Sequence, residues 1–272
     1  MATRTWFITG TSRGFGREWA IAALKRGDRV VGTARELGTV ADLAAEHPET
    51  FLGLALDVND RKAVFNVVER AHGHFGELDI VVNNAGYGHF GTIEELSEQE
   101  ARDQIETNLL GALWVTQAAL PHLRARGAGH FLQVSSIGGI VAFATLGIYH
   151  ASKWGLEGLS QALAREVAPF GIHVTLIEPG GFATDWGGSS ARHSAPIEAY
   201  APMRQARQQS RAGNAPGDPA ATAEAILTLV DAPRPPLRMF LGSAPLGLAE
   251  AEYESRLATW REWQPVAAAA QG

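Results

Sequence analysis

A chain of 272 residues, 46% hydrophobic and 19% charged, carries enough apolar residues for a buried core, and its thirty glycines point to tight loops rather than disorder. A formal net charge of -6 gives no general attraction for nucleic acid or anionic lipid, and with no cysteine neither a disulfide framework nor a thiolate metal site can form. No stretch approaches the roughly 20 apolar residues of a membrane span, and no charged segment followed by a long apolar run stands at the start, so a cytoplasmic protein of one domain, 1–272, is expected.

Along the chain, short apolar runs alternate with longer amphipathic stretches, the mark of βαβ units around a parallel sheet. Strands are predicted at 5–9, 29–34, 51–56, 78–82, 130–134, 173–177 and 238–241. Their β-branched and aliphatic content, without polar alternation, suits strands covered on both faces. The clearest helices between them are 14–26, 61–75, 98–126, 149–169 and 219–231. The fold class is therefore α/β, a doubly wound (Rossmann) parallel sheet of seven strands. Residues 180–217 are rich in Gly, Ser, Ala and Pro and read as a long loop with short helical pieces. A C-terminal extension, 246–264, lies beyond the last strand, and the tail from Val266 is expected to fray.

The first strand runs into Thr9-Gly10-Thr11-Ser12-Arg13-Gly14-Phe15-Gly16, where a helix begins. Glycines at 10, 14 and 16 let the backbone turn sharply and approach a pyrophosphate, whose charge the free N–H groups and dipole of the helix N-terminus favour. At the end of the second strand stands Thr33-Ala34-Arg35-Glu36. An acidic residue in that place would bind the ribose 2′-hydroxyl of NAD, whereas arginine can pair with the 2′-phosphate of NADP. Arg35 comes first, Arg13 could add a second cation, and NADP(H) is preferred over NAD(H). Glu36 dissents, since it could cap the next helix or face the ribose.

Tyr149 and Lys153 are four apart on a predicted helix and share a face. A nearby ammonium favours the phenolate and would lower the tyrosine from its usual value near ~10, making it a general acid or base. Pairs of this spacing are also common on exposed helix faces. Ser135 and Ser136 end the fifth strand, where open α/β sheets place their ligand crevice; either could hydrogen-bond a substrate oxygen or merely satisfy backbone groups. Asn108 sits in an apolar helical stretch, where an amide is costly to bury unpaired. His72 and His74 stand two apart near a helix end without a third ligand, so no metal is expected.

The glycine turn, Asn83-Asn84-Ala85-Gly86 after the fourth strand, Ser135-Ser136, Tyr149-x-x-x-Lys153, and Pro179-Gly180 with Thr184 resemble, in order, the motifs of the short-chain dehydrogenase/reductase family. The resemblance covers about residues 3–242 and implies an oxidoreductase. In it Tyr149 serves as proton donor or acceptor, and Ser136 rather than Ser135 binds the substrate oxygen. Lys153 binds the nicotinamide ribose, and Asn108 holds a relay water. It further implies cofactor contacts at Gly10, Ser12, Arg13, Gly14, Phe15, Gly16, Arg35, Asp57, Val58, Asn83, Ala85, Gly86, Pro179, Gly180 and Thr184. Asn84 and Gly91 are expected to serve turn geometry.

A ketone, aldehyde or secondary alcohol is the implied small-molecule substrate, taken in an apolar pocket of Tyr87, His89, Phe90, Val141, Phe143, Phe182 and Trp186, with 180–217 as its lid. A non-catalytic NADP-sensing regulator is the alternative, against which Asn108, Ser136, Tyr149 and Lys153 stand together. The helices at 98–126 and 149–169 carry apolar residues on more than one face, and the resemblance implies a homodimer or homotetramer paired through them.

Overall fold

The computed structural model describes residues 3–211 and 215–271. In chain order the elements are β1 (Thr5–Thr9), α1 (Gly14–Arg26), β2 (Arg29–Ala34), α2 (Ala41–Glu46), β3 (Phe51–Ala55), α3 (Arg61–Phe75), β4 (Ile80–Asn83) and β5 (His89–Phe90). There follow α4 (Glu98–Ile105), α5 (Gly111–Arg126), β6 (Gly129–Val134), α6 (Gly147–Val167), β7 (Ile172–Pro179) and β8 (Arg192–His193). The chain continues through α7 (Ala201–Arg211), α8 (Thr222–Asp231), β9 (Arg238–Leu241) and α9 (Ala244–Ala269).

Alternating side chains of the central strands feed two separate cores. Trp6, Ile8, Val30, Ile80, Val82, Leu132 and Val134 pack with Trp19, Ala20 and Ala23 of α1 and Ile226 and Leu229 of α8. The intervening Phe7, Val31, Val81 and Phe131 turn to the other face, against Val64 and Val68 of α3, Val115 and Leu123 of α5, and Leu163 of α6. Burying one such side chain fully is worth about 1.5–3 kcal/mol, so each strand is held from both sides. The result is a seven-stranded sheet, all parallel, in the order β3-β2-β1-β4-β6-β7-β9. Chain direction across the sheet reverses between β1 and β4, which opens a crevice at the carboxyl ends of these strands.

Three departures from the sequence reading have local causes. The expected helix 98–126 is divided by a π-helical turn, Glu106–Leu110, that separates α4 from α5 and carries Asn108. The loop 180–217 is built up: β5 and β8 pair in parallel, and α7 follows within it. The tail does not fray at Val266, because α9 continues to Ala269.

Candidate active site

Two turns at the crevice are bonded to one another. Thr9 Oγ1 donates to Val82 O and accepts from the amides of Asn84 and Ala85, while Asn84 Nδ2 donates to the carbonyls of Thr9 and Gly10 at 2.9 and 3.0 Å. Asn84 thus serves turn geometry, as expected. Gly10 has φ +73°, and a Cβ there would stand 3.2 Å from Ala85 Cα; on Gly16 it would lie 2.4 Å from Gly10 O. Only glycine fits either place, leaving bare backbone ahead of α1, and Thr184 lies over Gly14. These features suit a dinucleotide pyrophosphate. The Asn83 side chain turns into the core, where its Nδ2 donates to Ala112 O, Thr116 Oγ1 and Gln133 Oε1.

Beside these turns, α6 brings Tyr149 and Lys153 together, both almost fully buried, with Lys153 Nζ 5.8 Å from the centre of the phenol ring. Lys153 donates to Val134 O at 2.7 Å. The expected acidification of Tyr149 is not met. Burial pushes the phenol up to about 12, opposed by a hydrogen bond from Ser136. Burial likewise lowers Lys153 to about 8, opposed by the charge of Glu157. For both groups loss of solvent is the larger effect.

Ser136 leads a short turn, Ile137–Gly139, and its Oγ accepts from Gly138 N at 2.9 Å. His150 holds the same turn, a role sequence reasoning missed. Its Nδ1 donates to Gly138 O at 2.8 Å and its Nε2 accepts from Phe143 N at 2.9 Å, which requires a neutral ring, and burial lowers its pKa accordingly. Asn108 is buried and satisfied. Its amide exchanges bonds with the backbone N–H and carbonyl of Tyr87 and donates to Ser152 Oγ, which donates to Tyr149 O. As placed, the side chain braces the site.

Of the expected pocket residues, Trp186 and Phe90 come together beside Tyr149: Trp186 stands 4.9 Å from Tyr149 and 5.4 Å from Phe90, ring centre to ring centre. The Trp186 Nε1 and Tyr87 hydroxyl are buried without partners. Phe143 tilts over His150 near the crevice. The others are used differently. His89 is buried and bonds Ser194 Oγ at 2.8 Å, Val141 packs with Ile137, Ile140 and Ala249, and Phe182 packs on Phe15. The 180–217 segment is anchored by Glu95, which accepts from the amides of Thr92 and Ile197 at 2.7 Å and from Arg204, contacts that depress its carboxyl to about 2.

At the far end of the crevice, Arg13 is not idle. It pairs with Asp185 at 2.5 Å and reaches Ser189 Oγ at 3.3 Å. Arg35 is exposed at the end of β2 and, among the described residues, makes no ion pair. Glu36 is exposed and does not cap the following turn with its side chain. Asp57 accepts from Asn59 N at 3.0 Å, and Val58 is buried against Gly111. Gly180 N donates to Leu241 O, fixing the turn after Pro179. His72 stacks on His122, and no group of three or more metal-ligating residues occurs among the described residues.

A parallel α/β sheet with a glycine turn at its switch point and a Tyr-x-x-x-Lys helix beside it defines a dinucleotide-dependent oxidoreductase class of site. A family model described as short chain dehydrogenase matches residues 4–195. Oxidoreductase BOA17 of Botryotinia fuckeliana is 38% identical over 271 residues, 98% of this chain and 99% of that protein. A solved short-chain dehydrogenase from Streptomyces avermitilis is 40% identical, with a TM-score of 0.92 over 99% of this chain and 98% of its own. An alcohol dehydrogenase from Thermococcus sibiricus, solved with 5-hydroxy-NADP, is 28% identical, with a TM-score of 0.75 over 90% of this chain and 98% of its own. The chain belongs to the short-chain dehydrogenase/reductase family, oxidoreductases that use nicotinamide cofactors. No helix among the described residues is long and apolar enough to cross a membrane.

Proposed function

We propose that this protein is an NADP(H)-dependent carbonyl reductase or alcohol dehydrogenase acting on a ketone, an aldehyde or a secondary alcohol. The observation that carries the reading is the convergence of Tyr149, Lys153 and Ser136 next to the Gly10–Gly16 turn. The nicotinamide, when bound, supplies or accepts the hydride. Tyr149 holds the proton at its phenol oxygen for a substrate oxygen that becomes negative, and the Ser136 hydroxyl donates a hydrogen bond to the same atom. Lys153 would bind the nicotinamide ribose through its ammonium. Asn108 fixes Tyr87 and, through Ser152, the backbone of Tyr149.

With its phenol raised by burial to about 12, Tyr149 carries its proton at neutral pH. Trp186 against the phenol, with Phe90 packed on Trp186, supports an apolar or bulky substrate. NADP rather than NAD is supported by the unpaired Arg35, by Arg13, and by the bound 5-hydroxy-NADP of the Thermococcus relative. Half-buried Leu109, Leu113, Trp114 and Leu159 support pairing of copies through α5 and α6. The test follows absorbance of NADPH and, separately, NADH over small, aromatic and steroidal ketones. Turnover with NADPH is expected; preference for NADH would refute the role given to Arg35 and Arg13.

A further inference from the structure

The face of α6 that carries Tyr149 and Lys153 continues one turn further to Glu157, so the three side chains follow at i, i+4 and i+8. Lys153 is bonded to Val134 O, and Glu157 lies against the next residue, Ser135. Gly139 separates these two side chains with no space to spare: a Cβ there would stand 2.6 Å from Ser135 Oγ and 3.0 Å from Glu157 Oε1. The Ser135 hydroxyl is close enough to favour the Glu157 anion, although it falls short of a well-aligned hydrogen bond.

Glu178, immediately before Pro179-Gly180 on β7, is fully buried and meets Glu157 there. Arg238 of β9 places Nε 3.0 Å from Glu157 Oε2 and 3.4 Å from Glu178 Oε1, and its Nη2 donates to Gln161 Oε1. Arg256 and Tyr253 of α9 line the same cleft, of about 170 Å³, over Glu157. Glu157 Oε1 and both Glu178 oxygens have no conventional partner, which is costly for buried carboxyls unless a proton lies between them. Burial and the adjoining charge of Glu157 push Glu178 up to about 8, so Glu178 is the member that keeps the proton. The negative charge falls on Glu157, which receives the hydrogen bond from Arg238.

We propose that Glu157 is a positioning residue for the reaction: its carboxylate, clamped by Arg238 and paired with a protonated Glu178, keeps the buried Lys153 charged and the Ser135-Ser136 segment in place. The inference rests on the functional reading above. Its first test does not. The chain has three lysines, Lys25, Lys62 and Lys153, so carbon-13 labelling at lysine Cε gives three NMR signals, with Lys153 assigned by its loss in Lys153→Arg. The Lys153 midpoint of the unliganded protein is expected near about 8 and should fall by about one unit, tenfold in ionisation constant, in Glu157→Gln.

Should Glu157→Gln fail to fold, Glu157→Asp, which withdraws the charge by one methylene, is expected to move the midpoint in the same sense by a smaller step. An unmoved midpoint in whichever variant folds overturns the proposal. In turnover, the alkaline limb of kcat/KM for ketone reduction should shift down with the lysine midpoint in Glu157→Gln. A uniform loss of rate with that limb unmoved would mean a structural role only, and overturns it as well. If the wild type reduces no carbonyl with either nicotinamide, the functional reading fails, while the lysine titration still decides the pairing.

Discussion

Arg13 and Arg35 were equal candidates for a 2′-phosphate by residue type, and the fold separates them. Arg13 is engaged by Asp185, whereas Arg35 is exposed and makes no ion pair among the described residues. Arg35→Ala is therefore expected to weaken NADPH binding about tenfold or more, in line with loss of one hydrogen-bonded charge at about 1.5–3 kcal/mol, and to leave NADH almost unaffected. Fluorescence titration of both cofactors checks it; equal losses would speak against a phosphate contact. Burial was the quantity hidden from sequence at this scale. The spacing of Tyr149 and Lys153 was legible, but the rise of the phenol to about 12 follows from solvent exclusion by chain distant in sequence, including Trp186. The side-chain partners of Asn83, Thr116 and Gln133, likewise become visible only once α5 and β6 are packed.

Elements were more legible than their joints. Strands with apolar residues at successive positions announced two covered faces, and all seven formed one sheet. The π turn at Asn108 carries no composition signal that separates it from a continuous helix. The capping box at the start of α4 is a local signal of the opposite kind: Ser97 accepts from Glu100 N, and Glu100 returns a bond to Ser97 N. Ser97→Ala is expected to cost about 1 kcal/mol in chemical denaturation. The C-terminal half of α9 behaves differently. From Leu257 to Ala269 none of its side chains is buried, whereas Arg256 donates to Ile140 O at 2.9 Å. A chain ending at Arg256 should then melt within a degree or two of the full chain, while Arg256→Ala melts lower. A large loss on truncation would show that the exposed half is covered, by a second copy for instance.

At the scale of the whole molecule, buried neutral histidines set the acid response. His130 is lowered to about 3, chiefly by burial, and its Nε2 must donate to Thr175 Oγ1, whose own hydrogen goes to Pro236 O. His89, His122 and His150 are shifted in the same direction. A folded value below the unfolded one, near ~6.5, means that the unfolded chain binds more protons, so this stability is complete above about pH 6.5 and is lost progressively as pH falls toward 3. Melting temperature should decline from pH 7 to pH 5, with a shallower decline in His130→Gln; identical slopes would refute the assignment.

Within this frame the crevice at the β1/β4 switch point gathers residues from the ends of several strands, and the account turns on one of them. Steady-state ketone reduction by Tyr149→Phe, with NADPH binding measured on the same preparation, is the most direct test. Turnover is expected to drop by at least about 100-fold, the lower end of what a positioned proton donor contributes, while the cofactor dissociation constant stays within a few-fold of wild type. Near-normal turnover with intact cofactor binding would contradict the role given to the phenol.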